Sequence, residues 1–92
     1  MEKIKINEEL STQVLKKLVE NRQIILHNDD HNTFDHVIDS LEKYCGHSLL
    51  QAEQCASIVH YNGKCSVKNG NLKKLKPIHE VLLEKGLTVE II

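Results

Sequence analysis

Between residues 32 and 63 the same helix punctuation occurs twice in immediate succession, and this limits the fold more than any other feature of the chain. Asn32 has the character of a helix N-cap, and Asp35 three positions on completes a capping box and favours the positive end of the helix dipole. Phe34, Val37, Ile38, Leu41 and Cys45 then recur at helical spacing, and Gly46 stands where a helix ends in the left-handed conformation. The pattern restarts at once. Ser48 caps, Gln51 completes a second box, Ala52, Cys55, Ala56 and Val59 form the apolar stripe, and Gly63 follows the end. Two helices joined by so short a link form a helical hairpin. A hairpin with one apolar stripe per helix needs a further layer to cover it.

The flanking segments supply that layer. Arg22-Gln-Ile-Ile-Leu-His27 is a β-branched and apolar run that stops at a polar cluster, as a strand does. Lys64 to Lys68 alternates, with Cys65 and Val67 on one face. Asn69-Gly70-Asn71 is a turn that can lead into either a hairpin or a helix. Leu75, Ile78, Val81 and Leu82 mark a third helix, and Pro77 in its first turn puts the regular part near Lys76. Gly86 terminates it, and Leu87 to Ile92 reads as a closing strand. The expected fold is α+β in the order β-α-α-β-α-β, a single small domain with three helices packed on a three-stranded antiparallel sheet. It spans residues 22–92. Residues 1–21 form a separate N-terminal arm, in which Leu10, Val14, Leu15 and Leu18 suggest an amphipathic helix or a mobile extension.

With 92 residues there is room for one modest core and none for a large catalytic cleft with a cofactor. No apolar run approaches the roughly 20 residues of a membrane helix. The start MEKIKINEEL lacks the apolar centre of a signal peptide, so a cytoplasmic protein is expected. Cys45, Cys55 and Cys65 are an odd set without a CxxC pair, consistent with reduced thiols. Net charge is only −1 but is unevenly spread. Residues 28–53 carry six acids against Lys43, whereas residues 54–79 carry five lysines and no acid. A dipole of this kind suits protein partners. Nucleic acid is disfavoured as a partner, because only Phe34, Tyr44 and Tyr61 could stack on bases.

Asn28-Asp29-Asp30 falls between a strand end and a helix start, where side chains are free to point outward. Its acceptors match a cation with several N–H donors, such as an ammonium group, although Asn and Asp in such a place also simply make turns and caps. His60 ends the second helix and can face the same hollow, or can be an ordinary surface or core histidine. Phe34, Val37, Ala56 and Val59 lie on the facing stripes near this end. They read as core, yet small Ala56 opposite Phe34 leaves space for a guest side chain. A metal site is not supported: His27, His31 and His36 straddle a strand, a loop and a helix, and the cysteines fall ten residues apart. Nor is catalysis. Cys55 and His60 are five apart on one helix and diverge, and GxSxG, HExxH and phosphate-loop motifs are missing.

The stretch Leu26-His-Asn-Asp-Asp-His-Asn-Thr-Phe34, then Val37-Ile-Asp39, then Val59-His-Tyr-Asn-Gly-Lys64, strongly resembles ClpS, the adaptor of the ATP-dependent Clp protease. The resemblance covers residues 22–68 well and the remainder loosely. It implies a non-enzymatic adaptor without cofactor or metal. Such an adaptor recognises N-degrons, meaning proteins with a large hydrophobic first residue, and passes them to the N-terminal domain of a Clp AAA+ unfoldase. By the same resemblance Asn28, Asp30 and His60 hold the substrate's α-amino group with Asp29 beside them, and Asn32 contacts the peptide. Leu26, Phe34, Val37, Ala56, Val59 and Leu87 line the side-chain pocket. Phe34 and Ala56 replace methionines common in that family, the first narrowing the pocket and the second widening it. Asn71-Leu-Lys-Lys-Leu-Lys76 stands where the family more often has acids that help dock the unfoldase. The rival reading is an interaction module of similar fold, like the C-terminal domain of the ribosomal stalk protein, which has no use for an amine-binding hollow.

Overall fold

The computed structural model describes residues 21–92. The elements follow in the expected order: β1 (Arg22–His27), α1 (Phe34–Cys45), α2 (Leu49–Asn62), β2 (Lys64–Gly70), α3 (Leu72–Glu84) and β3 (Val89–Ile91). The three strands form an antiparallel sheet in the order β2-β1-β3, so β1 is central. The α+β reading therefore holds. The arm proposed for residues 1–21 lies, Asn21 apart, outside the described residues.

The most apolar strand takes the middle place because it has neighbours on both edges and no solvent-facing ladder. Ile24 and Leu26, on one face of its pleat, are almost fully buried against Leu41, Leu75 and Leu82 from α1 and α3. Cys55 and Val59 of α2 and Val67 of β2 complete the same core. The β1–β2 register slips between Ile24 and Ile25, so Ile24 faces Lys68 while Ile25 faces Ser66, leaving Val67 as the extra residue of a bulge. β3 is shorter than the Leu87–Ile92 run suggests. Backbone bonds beyond it, His27 N to Thr88 O at 2.8 Å and Ile92 N to Gln23 O at 2.9 Å, still hold the whole segment along β1.

Two helix starts differ from expectation. The cap of α1 is Thr33, whose hydroxyl accepts from His36 N at 3.1 Å, and not Asn32, whose side chain is drawn away into the preceding loop. The third helix begins at Leu72 rather than near Lys76. Asn71 caps it by accepting from Lys74 N at 2.7 Å, and this start outweighs Pro77, which then sits inside the helix. The second helix starts as expected, with Ser48 accepting from Gln51 N at 3.1 Å. Gly46 at φ 71° and Gly63 at φ 93° end the first two helices in the left-handed region. Among the described residues no helix is long and apolar enough to cross a membrane.

Candidate functional site

The end of β1, the start of α1 and the end of α2 meet at one hollow of about 360 Å³. Its position follows from the chain's local chemistry. β1 carries Leu26 to the floor, and the backbone N–H of Asn28 then donates to Gly63 O at 2.8 Å, tying the loop to the end of α2. That bond brings the Asn28-Asp29-Asp30 triplet beside His60. Leu26, Ala56 and Val59 are each at most 5% exposed and form an apolar floor, with half-buried Val37 beside them. Phe34 is 44% exposed at the mouth, its ring centroid 5.3 Å from that of His60. His60 in turn meets Tyr61 edge to face at 4.8 Å, so its imidazole is held between two rings.

The rim is rich in acceptors. Asn28, Asp30 and His60 are exposed there, and among the described residues the Asp30 carboxylate has no hydrogen bond or ion pair. His60 lies in the last turn of α2, where the unpaired carbonyl end of the helix also attracts positive charge. An apolar floor under a negative rim suits a guest with a cationic head and an apolar body.

Asp29 does something else. One carboxylate oxygen accepts from the backbone N–H groups of His31 (3.2 Å) and Asn32 (3.0 Å). The other accepts from Asn32 Nδ2 (2.8 Å) and Thr88 Oγ1 (3.0 Å). Its side chain is only 13% exposed. Burial pushes its carboxyl up, but the bonds from Asn32, Thr88 and His31 outweigh this and hold it below its ordinary value. Asn32 Nδ2 also donates to Gly86 O at 2.8 Å, and the rings of His31 and His36 reach the carbonyls of Gly86 and Lys85 at 3.2 and 2.7 Å. The loop bearing the triplet is thereby fastened to the end of α3. Asp29 and Asn32 do line the hollow, yet the Asp29 carboxylate and Asn32 Nδ2 are committed to shaping it, which leaves Asn32 Oδ1 without a partner among the described residues.

Of the residues singled out from the sequence, ten line the hollow: Leu26, Asn28, Asp29, Asp30, Asn32, Phe34, Val37, Ala56, Val59 and His60. Leu87 does not. It is 3% exposed and packs within the core cluster. His27 and Thr33 line the hollow without having been singled out. Thr33 was hidden by the preference for Asn32 as the cap, and His27 by its place in a strand, where Glu90 Oε1 holds its ring at 2.7 Å. Among the described residues no group of three His, Cys, Asp or Glu side chains could hold a metal ion. Burial pushes the Cys45 thiol up to about 11 and the Cys55 thiol up to about 12, so neither is a thiolate at neutral pH.

The model of the ATP-dependent Clp protease adaptor protein ClpS matches residues 12–90. The chain belongs to the ClpS family. The ClpS adapter of Thermosynechococcus vestitus is 38% identical over 78 residues, which are 84% of this chain and 83% of the relative. That of a Nostoc species is 35% identical over 85 residues, 91% of this chain and 88% of the relative. Among solved structures, Agrobacterium tumefaciens ClpS2 bound to L-phenylalaninamide matches with a TM-score of 0.67 at 19% identity, covering 80% of this chain and 96% of that one. The ClpS fold is thus shared where the sequences have largely diverged. Within this family the chain acts as an adaptor of Clp proteolysis, interacting with the protease and its substrates.

Proposed function

We propose that this chain is a non-enzymatic adaptor that binds the free N-terminus and large hydrophobic first side chain of N-degron proteins and delivers them to the N-terminal domain of a Clp AAA+ unfoldase. One observation carries the reading: a hollow of about 360 Å³ combines an apolar floor with a rim on which Asp30 has no partner among the described residues. A protein's α-amino group beside its first side chain has this same pairing of charge and apolar body. The Agrobacterium relative of like fold is bound to L-phenylalaninamide, an amine next to a large aromatic side chain. The raised thiols of Cys45 and Cys55 speak against a thiol enzyme. A cytoplasmic location accompanies this role.

In this reading Asn28, Asp30 and His60 receive the ammonium group, while Leu26, Phe34, Val37, Ala56 and Val59 surround the side chain. Asp29 and Asn32 hold the loop that presents them. Each charge-assisted hydrogen bond contributes roughly 1.5–3 kcal/mol, and burying a Leu or Phe side chain about 1.5–3 kcal/mol. Against an association cost on the order of 4 kcal/mol or more, three such bonds and one buried side chain leave at most about 8 kcal/mol, which makes micromolar affinity the upper end. Acetylation removes the charge and two donors, leaving acceptors unpaired in the complex.

Fluorescence anisotropy with a labelled peptide beginning in Leu or Phe, run beside its N-acetylated twin, tests the proposal. Micromolar binding that disappears on acetylation is the expected result. Equal binding of both, or none with Leu, Phe, Tyr or Trp ends, would sink it and favour a stalk-like interaction module.

A further inference from the structure

A second cavity, of about 300 Å³, opens where the α1–α2 link, the middle of β2 and the first turn of α3 converge. Its chemistry is the reverse of the amine hollow. Lys68 and Lys74 line it together with Gln51, Ser66, Asn69 and His47, and among the described residues no carboxylate does. Among the described residues neither lysine has a salt bridge. Lys68 Nζ donates to Cys45 O at 3.1 Å, which fixes the ammonium group while leaving two of its donors free. Ser66 Oγ donates to Asn69 Oδ1 at 3.3 Å, so the Asn69 amide group has its own donors to offer.

Two helices add to this field. Gln51 stands in the first turn of α2 and Lys74 in the first turn of α3, and neither first turn contains an acid. Helix N-termini carry partial positive charge, so an acid there is stabilising and a lysine costs stability. Here two such termini and two ammonium groups meet at one polar cavity without a counter-charge among the described residues. His47, more than nine-tenths buried, also lines it. A carbonyl can only accept, so the 2.6 Å contact to Val67 O makes Nε2 the donor, and Nδ1 is left without a partner among the described residues. With Nε2 the donor, Nδ1 is an acceptor, so His47 adds polarity to the lining but no donor for an anion.

We propose that this cavity is a binding site for a small oxyanion of the phosphate class. The ligand takes the free donors of Lys68 and Lys74, with the amides of Asn69 and Gln51 at its sides and the positive ends of α2 and α3 behind it. The site lies apart from the amine hollow and stands whether or not N-degrons are the adaptor's cargo.

Backbone amide NMR during titration with inorganic phosphate at constant ionic strength, with chloride as the control, tests it directly. Saturable shifts confined to residues 46–51, 66–69 and 74 are expected, weakened about tenfold or more in Lys68→Met/Lys74→Met. Because Lys68 also caps Cys45 O, Lys74→Met alone is the second variant, and it too should weaken binding in a domain whose melting temperature is not lowered. Shifts that do not saturate, that chloride reproduces, or that survive both variants would overturn the site.

Discussion

Asp29 and Asp30 are neighbours of the same type, yet the fold gives them opposite tasks, and substitution separates the two. Asp30 has no partner of its own among the described residues, so Asp30→Asn should leave the melting temperature unchanged while weakening binding of a Leu-ended peptide about tenfold or more, the equivalent of one charge-assisted bond. His60→Ala should weaken binding as well without unfolding the domain, at the small cost of its ring contacts with Phe34 and Tyr61. Asp29 behaves differently because four donors converge on its carboxylate. Its folded carboxyl ionises below the ordinary 3.8 of an unfolded chain, so the ionised form stabilises the native state. That stabilisation is complete above about 3.8 and is lost as pH falls through the lower folded value. Asp29→Asn should therefore be less stable than the parent at pH 7, with the gap closing as the pH drops below 3.8 in denaturant titrations. A gap independent of pH would mean that the charge is irrelevant. The sequence showed the triplet as a set of acceptors but could not divide the labour within it. The partners that claim Asp29 include Thr88, 59 positions away, and no local pattern reveals a contact at that separation.

Among the elements, the hairpin was legible because every signal for it is local: Ser48 with Gln51, and the glycines at 46 and 63, act within a turn of where they stand. The two errors arose where two plausible signals competed a few residues apart. Asn32 and Thr33 can both cap a helix, and the choice fell to Thr33 once Asp29 and Gly86 had claimed the Asn32 side chain. Thr33→Ala should accordingly destabilise the domain by about 1 kcal/mol, whereas a cap at Asn32 would make it neutral. At the third helix, Pro77 pointed to a later start, but a good Asn71 cap and four further residues are worth more than the bond that proline forfeits. Inside the helix Pro77 has no N–H for Lys73 O. Its replacement restores that bond, against a loss of about 0.4–1 kcal/mol from greater freedom of the unfolded chain. Pro77→Ala should therefore stabilise by about 2 kcal/mol, the roughly 3 kcal/mol cost of an interior proline less that loss, read from the denaturation midpoint.

For the molecule as a whole, the same topology that makes β1 central also concentrates acceptors at one end of the helical hairpin and cations at the other. The amine hollow lies where β1 leaves the sheet and α2 ends; the lysine-lined cavity lies where α2 and α3 begin. The uneven charge seen along the chain thus becomes two chemically opposed cavities on one small domain. Their reality can be read from global stability, because a ligand that binds only the native state raises the melting point by mass action. At 100 times its dissociation constant a Leu-ended peptide contributes about 2.7 kcal/mol. For a domain of this size each kcal/mol moves the midpoint by about 4–8 °C, so the rise should reach roughly 10 °C even after the affinity weakens on heating. The acetylated twin should give no rise. Asp30→Asn should lose about half or more of the peptide's effect while keeping the phosphate-dependent rise, and Lys74→Met should do the reverse. A variant that lost both rises together would show that the two ends are not independent and that the substitution had disturbed the shared core instead.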